Sequence, residues 1–524
     1  MKPPDEVSSS DPGEGMEQLE KQMTGASNMS TVSIAAQMSP MREILFVSVV
    51  CLAQLCTQAA LGQVLAILQT TLAQTFGLSN PGDLAWLIAG YSLTVGTFIL
   101  MAGRLGDVFG YKKMLLIGFS WFSLWSIIAG LAVFSNHVLF VFARVFQGIG
   151  ASICLPNALA LLGATYAPGP RKNMVFALFG ATAPGGSIIG ATFASLFSLA
   201  WWPWAFWSFG ITLATIAVVG WFVIIDPPSK LRTEASSRTY WETFILLDPL
   251  GGLVGVTALI LFNFAWNQAG VIGWADPSVA WYVYLTLILG ILLVPVFFYI
   301  EKRVSSAPLI PFDALTVDVA FVLGCIACGW GCFGIWVFYI WSFAEVLKGA
   351  TPLLATAYIC PVAVSGALAS ITTGYLLGKM RPAFLMIIAL SCFTVGTILI
   401  ATAPVHQSYW AQFFVCTLVI PWGMDISFPA ATLILSNAVG KEHQGIAASL
   451  VNTVVNYTIS LALGFAGTLE ANVNHGGVTN ADKLRGYRGA WYLAIGLSGF
   501  GMILSVCYLL KDLHRSRASA SSAS

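Results

Sequence analysis

This chain of 524 residues contains few charged side chains. Only 9% of its residues are Asp, Glu, Lys or Arg, whereas 57% are hydrophobic. A water-soluble domain normally carries about 25% charged residues, so an ordinary soluble protein is excluded. The 24 basic and 23 acidic residues nearly balance each other. No strongly basic surface, and therefore no nucleic-acid partner, is expected.

Cysteines are absent outside the apolar stretches. All ten lie within hydrophobic runs, away from the loops where disulfides could form in an oxidising compartment. A disulfide framework is not expected. Cys325, Cys328 and Cys332 share one helical face and could suggest a metal site. We prefer the alternative, in which small side chains pack inside a membrane helix, and we expect neither a metal nor a cofactor.

Sequence motifs for enzymatic chemistry are also missing. The chain contains no Walker loop, no zincin helix and no acyl-transfer elbow, which disfavours both an ATP-driven pump and an enzyme. Residues 1–41 lack the apolar core of a cleavable signal peptide. Their polar, Ser-rich composition predicts a disordered tail.

Long apolar runs make up most of the remaining chain. From residue 42 onward they recur with lengths of about 20 residues, enough to cross a hydrocarbon core as helices. Fourteen such spans are predicted, so we expect an all-α integral membrane protein. The predicted parts are a disordered cytoplasmic tail 1–41, a six-helix half 42–225, a cytoplasmic linker 226–247, two additional spans 248–299, a cytoplasmic loop 300–318, a second six-helix half 319–510 and a cytoplasmic tail 511–524.

The distribution of basic residues predicts the orientation of these spans. If both termini are cytoplasmic, 19 of the 24 Lys and Arg residues lie on the inner side and four on the outer side, with Arg144 inside a span. An excess of Lys and Arg is typical of cytoplasmic loops. We expect a multi-pass monomer in the plasma membrane, with the vacuolar membrane as the alternative.

Two internal similarities predict that the halves are repeats. The segment 154–158, C-L-P-N-A, resembles 427–431, S-F-P-A-A, 273 residues further on. The segment 103–113 is faintly repeated at 374–381, with an offset of 271 residues. Transporters built from repeats bind their substrates between the halves, near the bilayer midplane.

Arg144 is one of two ionisable residues deep within the predicted spans. Such residues are costly in hydrocarbon and are functional candidates. Gln147 lies on the same helical face, and the pair could hold an anion or a carboxylate. Alternatively, Arg144 only ties helices together. Gln63 and Trp336 are further candidate substrate contacts, although the aromatic cluster around Trp336 could equally face lipid.

Asp425 is the second deep ionisable residue. It lies between Pro421 and Pro429, and an irregular backbone at membrane depth is tolerated where it lines a cavity. Asp425 could carry a proton, or it could stay neutral within the helix packing. Glu345 and Glu470 lie near the predicted outer ends of their spans, where they could reach water.

A charged stretch, G-R-L-G-D-V-F-G-Y-K-K, separates two apolar runs at 103–113. Its glycines permit tight turning, and its charges cannot lie in hydrocarbon. The stretch therefore predicts a turn at the membrane surface. The candidate gating residues are Gly103, Arg104, Gly106, Asp107, Gly110, Lys112 and Lys113.

Several of these segments match motifs of one family. The stretch at 103–113 resembles the loop motif G-x-L-a-D-r-x-G-r-k of the major facilitator superfamily, and 144–150 resembles its span-4 motif R-x-x-Q-G. The segment 248–252, D-P-L-G-G, resembles the start of span 7 in the fourteen-span drug:proton antiporter branch. Segments 54–63 and 423–430 are similar to fungal aminotriazole- and boron-resistance exporters. The residues that resemble the span-5 antiporter motif, where a helix bend is expected, are Gly180, Pro184, Gly185, Gly186 and Gly190.

The resemblance implies the major facilitator fold, with two six-helix halves, two extra central spans and alternating access. It also implies that the gating residues latch the cytoplasmic side. Asp107 would lie against the start of span 13, near 444–445, while Arg104 and the lysines would pair with acids and lipid phosphates. Many members of the branch carry an acid in span 1, but this chain reads Leu61-Gly62-Gln63 there.

The predicted function is efflux of a small solute or drug, such as boric acid, aminotriazole or another xenobiotic, in exchange for protons. Asp425 and Arg144 are the candidates for proton coupling. The candidates for substrate binding or coupling are Arg144, Gln147, Gln63, Trp336 and Asp425. The alternatives are an uncoupled facilitator or importer on the same fold, or a membrane sensor that transports nothing.

Overall fold

The computed structural model describes residues 34–167, 169–227, 239–275, 277–310, 316–438 and 444–522. Fourteen helices within these ranges are long and apolar enough to cross a membrane, and the described part of the chain contains no β-strand. The predicted all-α class and the predicted number of spans are therefore confirmed. Most of the predicted disordered tail, residues 1–33, lies outside the described residues.

The fourteen long helices are numbered in chain order. The first six are α1 (Pro40–Leu65), α2 (Pro81–Phe109), α3 (Tyr111–Leu131), α4 (His137–Thr165), α5 (Pro170–Ser198) and α6 (Pro203–Val223). The middle pair is α7 (Pro249–Ile272) and α8 (Pro277–Arg303). The last six are α9 (Val317–Ser342), α10 (Pro352–Leu377, interrupted at Cys360), α11 (Pro382–Thr402), α12 (Gln412–Ala438), α13 (Gln444–Val473) and α14 (Asn480–Ser522).

An even number of crossings returns the chain to the side from which it started. Both described ends therefore lie on one side of the helix bundle, here named the termini face, and the other side is named the opposite face. Short helical segments adjoin the long helices. They are Ile34–Gln37, Leu68–Leu72, Ala73–Phe76, Ala132–Phe134, Tyr240–Leu246 and Phe343–Leu347.

Proline and small polar caps set where many helices begin. Helix α1 starts at Pro40 after the capping residue Ser39, and α7 starts at Pro249 after Asp248, whose carboxylate accepts a hydrogen bond from the N–H of Gly251 (3.2 Å). A proline at the first helical position loses no intrahelical hydrogen bond. The capping oxygen satisfies an N–H that the helix itself leaves free.

The two halves meet along two helix pairs. Helix α2 packs along α13, and α5 packs against α10. A β-carbon at Gly96 would lie 2.6 Å from the main-chain nitrogen of Tyr457, and one at Gly366 would lie 2.7 Å from Cβ of Pro184. Small residues at such positions allow close approach of the helices. Replacing either glycine would push the halves apart.

The middle pair of helices lies over one of these boundaries. Helix α7 contacts both α2 and α13, and α8 packs on α7. The side-chain amide of Asn267 donates to the carbonyl of Ser460 (3.2 Å), and the Ser460 hydroxyl hydrogen bonds with Oδ1 of Asn263 (2.9 Å). Both asparagines are buried. These polar contacts fix α7 to the second half.

The stretch at 103–113 is not the turn that its composition predicted. Helix α2 continues to Phe109, and α3 begins at Tyr111. Only Gly110 leaves the helical conformation, with φ of 101°, which favours glycine. The N–H of Gly110 still donates to the carbonyl of Gly106 (2.9 Å). The charged residues of this stretch therefore do not interrupt the main-chain hydrogen bonds of α2.

Other predicted helix boundaries also differ from the observed ones, because helices continue beyond their apolar stretches. The predicted linker 226–247 contains the helix Tyr240–Leu246, which starts with a capping box of Thr239 and Glu242. The last span was predicted to cover 489–510, but α14 runs from Asn480 to Ser522. Apolarity marks only the part of a helix that crosses the membrane, and main-chain hydrogen bonding extends the helix beyond it.

Candidate functional site

The halves are joined to each other at the opposite face. Three side-chain hydrogen bonds cross the boundary there, and each joins a residue of the first half to one of the second. They are Gln69 to Ser342 (2.7 Å), Thr70 to Glu345 (3.2 Å) and Ser195 with Thr356 (2.9 Å). This conformation is therefore closed at the opposite face.

The α5–α10 pair is in contact at mid-helix and has free space beside two glycines nearer the termini face. Pro184 and Gly366 touch at mid-helix. Nearer the termini face, a methyl group at Gly180 or at Gly374 would contact no other atom, and both positions are exposed. Closure of the boundary at one face is expected for one state of an alternating-access cycle.

Asp425 lies at the point where α5, α10 and α12 meet. Its Oδ1 accepts a hydrogen bond from the hydroxyl of Ser370 (3.0 Å). Its Oδ2 is buried and has no hydrogen-bond partner among the described residues. A β-carbon at Gly366 would lie 3.0 Å from that oxygen, and it would also touch Pro184 of the other half. The carboxyl group therefore borders the boundary between the halves.

The residues around Asp425 form a regular helix. Pro421 and Pro429 lie inside α12, which continues through both without interruption, so the irregular backbone expected there is not observed. The indole N–H of Trp330 donates to the hydroxyl of Ser427 (3.2 Å). These contacts hold α9 against α12 beside the carboxyl group.

Trp336 lies away from the boundary. It is fully buried in the second half, and its indole N–H donates to Sγ of Cys416 (3.0 Å). Its predicted role in substrate binding would require a different conformation. The cysteines on α9 point to different helices, because Cys325 contacts the carbonyl of Gly501 on α14 and Cys332 contacts Thr397 on α11.

Arg144 is fully buried within the first half. Its guanidinium donates to the carbonyls of Ala60 (3.0 Å) and Leu87 (3.3 Å) and to the side chain of Gln147. It also lies 4.4 Å from the ring centre of Tyr91. In the part of the chain that the structure describes, it pairs with no carboxylate. Arg144 thus connects α1, α2 and α4, and it does not meet Asp425.

The neighbours of Arg144 extend this network. The amide of Gln147 donates to the hydroxyl of Ser126 on α3 (2.7 Å). Gln63 is buried, and its Oε1 has no partner among the described residues. At Gly148 a β-carbon would lie 2.2 Å from Oγ1 of Thr94. The R-x-x-Q-G pattern therefore provides close packing of α4 on α2 and a buried polar network.

Arg104 holds the middle of the chain to the first half. Its guanidinium donates to the carbonyl of Leu246, at the end of the helix Tyr240–Leu246 (3.0 Å), and to the carbonyl of Ala307 (3.2 Å). The resemblance implied acids and lipid phosphates as its partners. The observed partners are main-chain carbonyls, because the helix after the linker and the chain after α8 both reach the end of α2.

The other gating residues lie at the same end of α2. The hydroxyl of Tyr111 donates to Asp107 (2.7 Å), and Lys112 donates to the carbonyl of Trp221 (2.7 Å), whereas Lys113 is exposed. The predicted contact of Asp107 with 444–445 involves side chains that lie outside the described residues. Gly106 is required for the packing on α4, whereas a methyl group at Gly103 would make an ordinary contact. A β-carbon at Gly103 would lie 3.6 Å from Pro156, and one at Gly106 would lie 1.8 Å from Oδ1 of Asn157.

The span-5 residues divide into two groups. A β-carbon at Gly186 would lie 2.4 Å from the carbonyl oxygen of Leu55, and one at Gly190 would lie 2.1 Å from that of Ala59. These two glycines therefore allow α5 to pack on α1. Gly185, like Gly180, has free space beside it. Pro184 of the motif makes a contact with the second half, at Gly366.

The prediction that Glu345 and Glu470 reach water was wrong. Their exposed fractions are only 4% and 3%. Glu345 accepts a hydrogen bond from Thr70, and Glu470 accepts one from the hydroxyl of Tyr339 (2.8 Å). The position of a residue near the end of a span does not reveal whether other helices cover its side chain. The residues that cover these two acids are distant in the sequence.

A buried pair of acids at the termini face was not predicted. Asp248 and Glu301 are buried, and one carboxyl oxygen of each has no hydrogen-bond partner among the described residues. A β-carbon at Gly251 would lie 2.4 Å from Asp248 and 2.7 Å from Glu301. The D-P-x-G-G pattern could have indicated this pair, since the glycine leaves room for both groups.

Comparisons with known proteins agree with this architecture. The family model described as Major Facilitator Superfamily matches residues 50–465 and again 319–524. The Low affinity ammonium transporter of Saccharomyces cerevisiae is 55% identical over 91% of this chain and 90% of its own length. The Efflux pump terG of Aspergillus terreus is 43% identical over 92% of this chain and 90% of its own length.

Two more comparisons bear on the branch and on the fold. The Aminotriazole resistance protein of Saccharomyces cerevisiae is 36% identical over 92% of this chain and 86% of its own length, which confirms the resemblance to the fungal exporters. A crystal structure of the nucleoside transporter NupG superposes with a TM-score of 0.58 at 10% identity, covering 89% of this chain and 98% of that one. The chain belongs to the major facilitator superfamily.

Proposed function

We propose that this membrane transporter exports a small solute or drug and exchanges it for protons carried by Asp425. The observation that carries the proposal is the position of Asp425. One of its carboxyl oxygens is buried without a partner, directly beside the contact of Pro184 with Gly366 between the halves. We also propose that the termini face is cytoplasmic, because most basic residues lie on that side.

The chemistry of Asp425 follows from its surroundings. An ionised carboxylate with a single hydroxyl donor would be strongly disfavoured in this buried site, so the proton stays bound while the halves touch here. When the halves rock, the α5–α10 boundary beside Asp425 parts and water enters. Asp425 then ionises and releases its proton to the side that has opened. Substrate and proton thus use the same boundary in alternation.

The names of relatives support two substrate classes. Efflux pumps and a drug-resistance protein favour export of a xenobiotic such as aminotriazole, and we include boric acid on the resemblance to boron exporters. The relative at 55% identity is named an ammonium transporter. It supports a second candidate, the uncoupled passage of a small cation of ammonium size. The two candidates differ in whether a proton gradient can concentrate the substrate.

Purified protein in proteoliposomes can separate the two candidates. The measurement is uptake of labelled aminotriazole, boric acid or methylammonium, with and without an imposed pH gradient. We expect the gradient to drive concentration of a substrate by the natural protein. Asp425→Asn should abolish concentration but keep exchange down a substrate gradient.

The matched control is Asp512→Asn, which removes a partly exposed acid that pairs with Arg381 at the surface. It should leave the concentrating transport unchanged. Concentrating transport by Asp425→Asn at the rate of the natural protein would refute the proton role. Transport that never responds to the gradient, even in the natural protein, would favour the uncoupled candidate.

A further inference from the structure

Two π-helical turns meet at the opposite face. One is Leu68–Leu72, after α1, and the other is Phe343–Leu347, after α9. Their first residues are 275 positions apart, close to the 273-residue offset between the similar segments of the two halves. The turns contact each other, and together we name them the opposite-face gate. Such turns are rare and are frequent at functional sites.

Glu345 lies inside this gate. It is 4% exposed. Its Oε2 accepts a hydrogen bond from the hydroxyl of Thr70 in the other turn (3.2 Å), and its Oε1 is buried without a partner among the described residues. Beside it, Gln69 donates to Ser342 (2.7 Å). The carboxyl group is therefore one of the side chains that hold the gate shut.

No positive charge compensates Glu345. Among the described residues, no Lys, Arg or His side chain forms an ion pair with it. Lys348, the basic residue that follows the gate, donates instead to the carbonyls of Val405 (3.0 Å) and Gln407 (2.8 Å). Burial lowers the pKa of Lys348.

The titratable group that approaches Glu345 from α14 is a phenol. Tyr487 of α14 is near enough to interact electrostatically with both Glu345 and Glu470. Its ring packs on that of Tyr339, with centroids 5.4 Å apart, and Tyr339 donates to Glu470. A neutral phenol supplies no positive charge that could compensate an ionised Glu345.

We propose that Glu345 is a gating residue that must be protonated for the opposite face to close. When the gate opens, Thr70 moves away and water reaches the carboxyl group. The O–H bond then breaks, the proton passes to water on the opposite side, and the electron pair stays on the carboxylate. Closing requires a proton from that side. This rests on alternating access but not on Asp425 as the coupling residue.

The physical reason is the cost of an uncompensated buried charge. A carboxylate that loses its water must gain equivalent hydrogen bonds or charges, and in the closed gate Glu345 meets only neutral donors of Thr70. Closure therefore takes up one proton. By linkage, the ratio of open to closed protein should rise about tenfold for each pH unit above the midpoint of the transition.

The distance across the gate as a function of pH tests this directly. Spin labels can be attached through non-natural amino acids at Ser79 and His406, which are exposed on the opposite face in the first and second halves. This leaves the ten native cysteines in place. Electron paramagnetic resonance of the full chain in nanodiscs then reports the open and closed populations from acidic to alkaline pH.

We expect the open population of the natural protein to rise with pH. Glu345→Gln mimics the protonated acid, so it should keep the gate closed at every pH. Glu470→Gln makes the same change in a buried acid whose hydrogen-bond donor, Tyr339, lies in its own half, and it should keep the pH response. An open population that ignores pH in the natural protein, or that responds equally in Glu345→Gln, would overturn the proposal.

A second variant keeps the test decisive if Glu345→Gln does not fold. Thr70→Val removes the hydrogen bond that the closed gate provides, so opening should occur at lower pH. An unchanged midpoint would count against the proposal. Asp425→Asn separates this proposal from the proposed function. It should keep the pH response of the gate, whatever happens to its transport.

Discussion

Arg104 at the end of α2 donates to the main-chain carbonyl of Leu246, although 142 residues separate them in the chain. The same guanidinium reaches the carbonyl of Ala307. One side chain of the gating stretch therefore holds both ends of the central α7–α8 pair. The resemblance predicted that Arg104 would latch onto acids and lipid phosphates. Arg104 instead contacts main-chain carbonyls on both sides of the central α7–α8 pair.

Arg104→Lys should slow transport several-fold. A lysine keeps the charge but cannot donate to both carbonyls, because the planar fork of arginine is what spans them. The measurement is the turnover rate in proteoliposomes at saturating substrate. The matched control is Arg381→Lys, in the faint repeat of the same stretch, where the side chain pairs with the partly exposed Asp512. A rate for Arg104→Lys equal to that of the control would contradict the latch.

Asp107→Ala should impair cycling more than Lys379→Ala. Asp107 accepts a hydrogen bond from Tyr111 at the break between α2 and α3, so its loss loosens the end of a helix that borders the second half. The exposed Lys379 contacts Tyr375 of the same segment, and surface contacts of this kind contribute little. The measurement is the efflux rate of each variant, normalised to its amount in the membrane. Equal effects would contradict the asymmetry between the halves.

Arg144→Lys should destabilise the protein, since Arg144 connects three helices of the first half. At least one charge-assisted hydrogen bond would be lost, which corresponds to about 2 kcal/mol. Thermal unfolding in detergent should therefore begin several degrees lower. Arg42→Lys is the control, since Arg42 donates to the single carbonyl of Val223 at a helix end. An unchanged unfolding temperature with weaker substrate binding would instead place Arg144 in the binding site.

Gly251→Ala should disrupt the start of α7. The added methyl group would lie 2.4 Å from a carboxyl oxygen of Asp248 and 2.7 Å from one of Glu301, and backbone or side chains must move to admit it. We expect lower yield of folded protein and a lower unfolding temperature, with a loss of about 1–3 kcal/mol. Gly185→Ala, where a methyl group meets nothing, should leave both unchanged. Equal behaviour of the two variants would show that the acid pair tolerates the change.

Local signals in the sequence were sufficient for the fold class. Each apolar run must satisfy its main-chain hydrogen bonds within itself to cross a membrane, so hydropathy alone predicted the number of spans. Asp425 could also be recognised, because an acid in the middle of an apolar helix is costly wherever it points. The helix ends could not be located this way, as the continuous α2 beyond Gly103 shows.

The sequence by itself determined that this is a fourteen-helix membrane protein of a known transporter family, since length, apolarity and short motifs are properties of contiguous residues. Only the tertiary structure decided the environment of each charge. It joined Arg144 to carbonyls of two other helices, placed Asp425 beside Pro184, and buried Glu345 against Thr70, 275 residues away. The free energy of a buried charge depends on the groups that surround it in space. Those groups are distant in the sequence and come together only when the helices pack, so the sequence alone could not identify them.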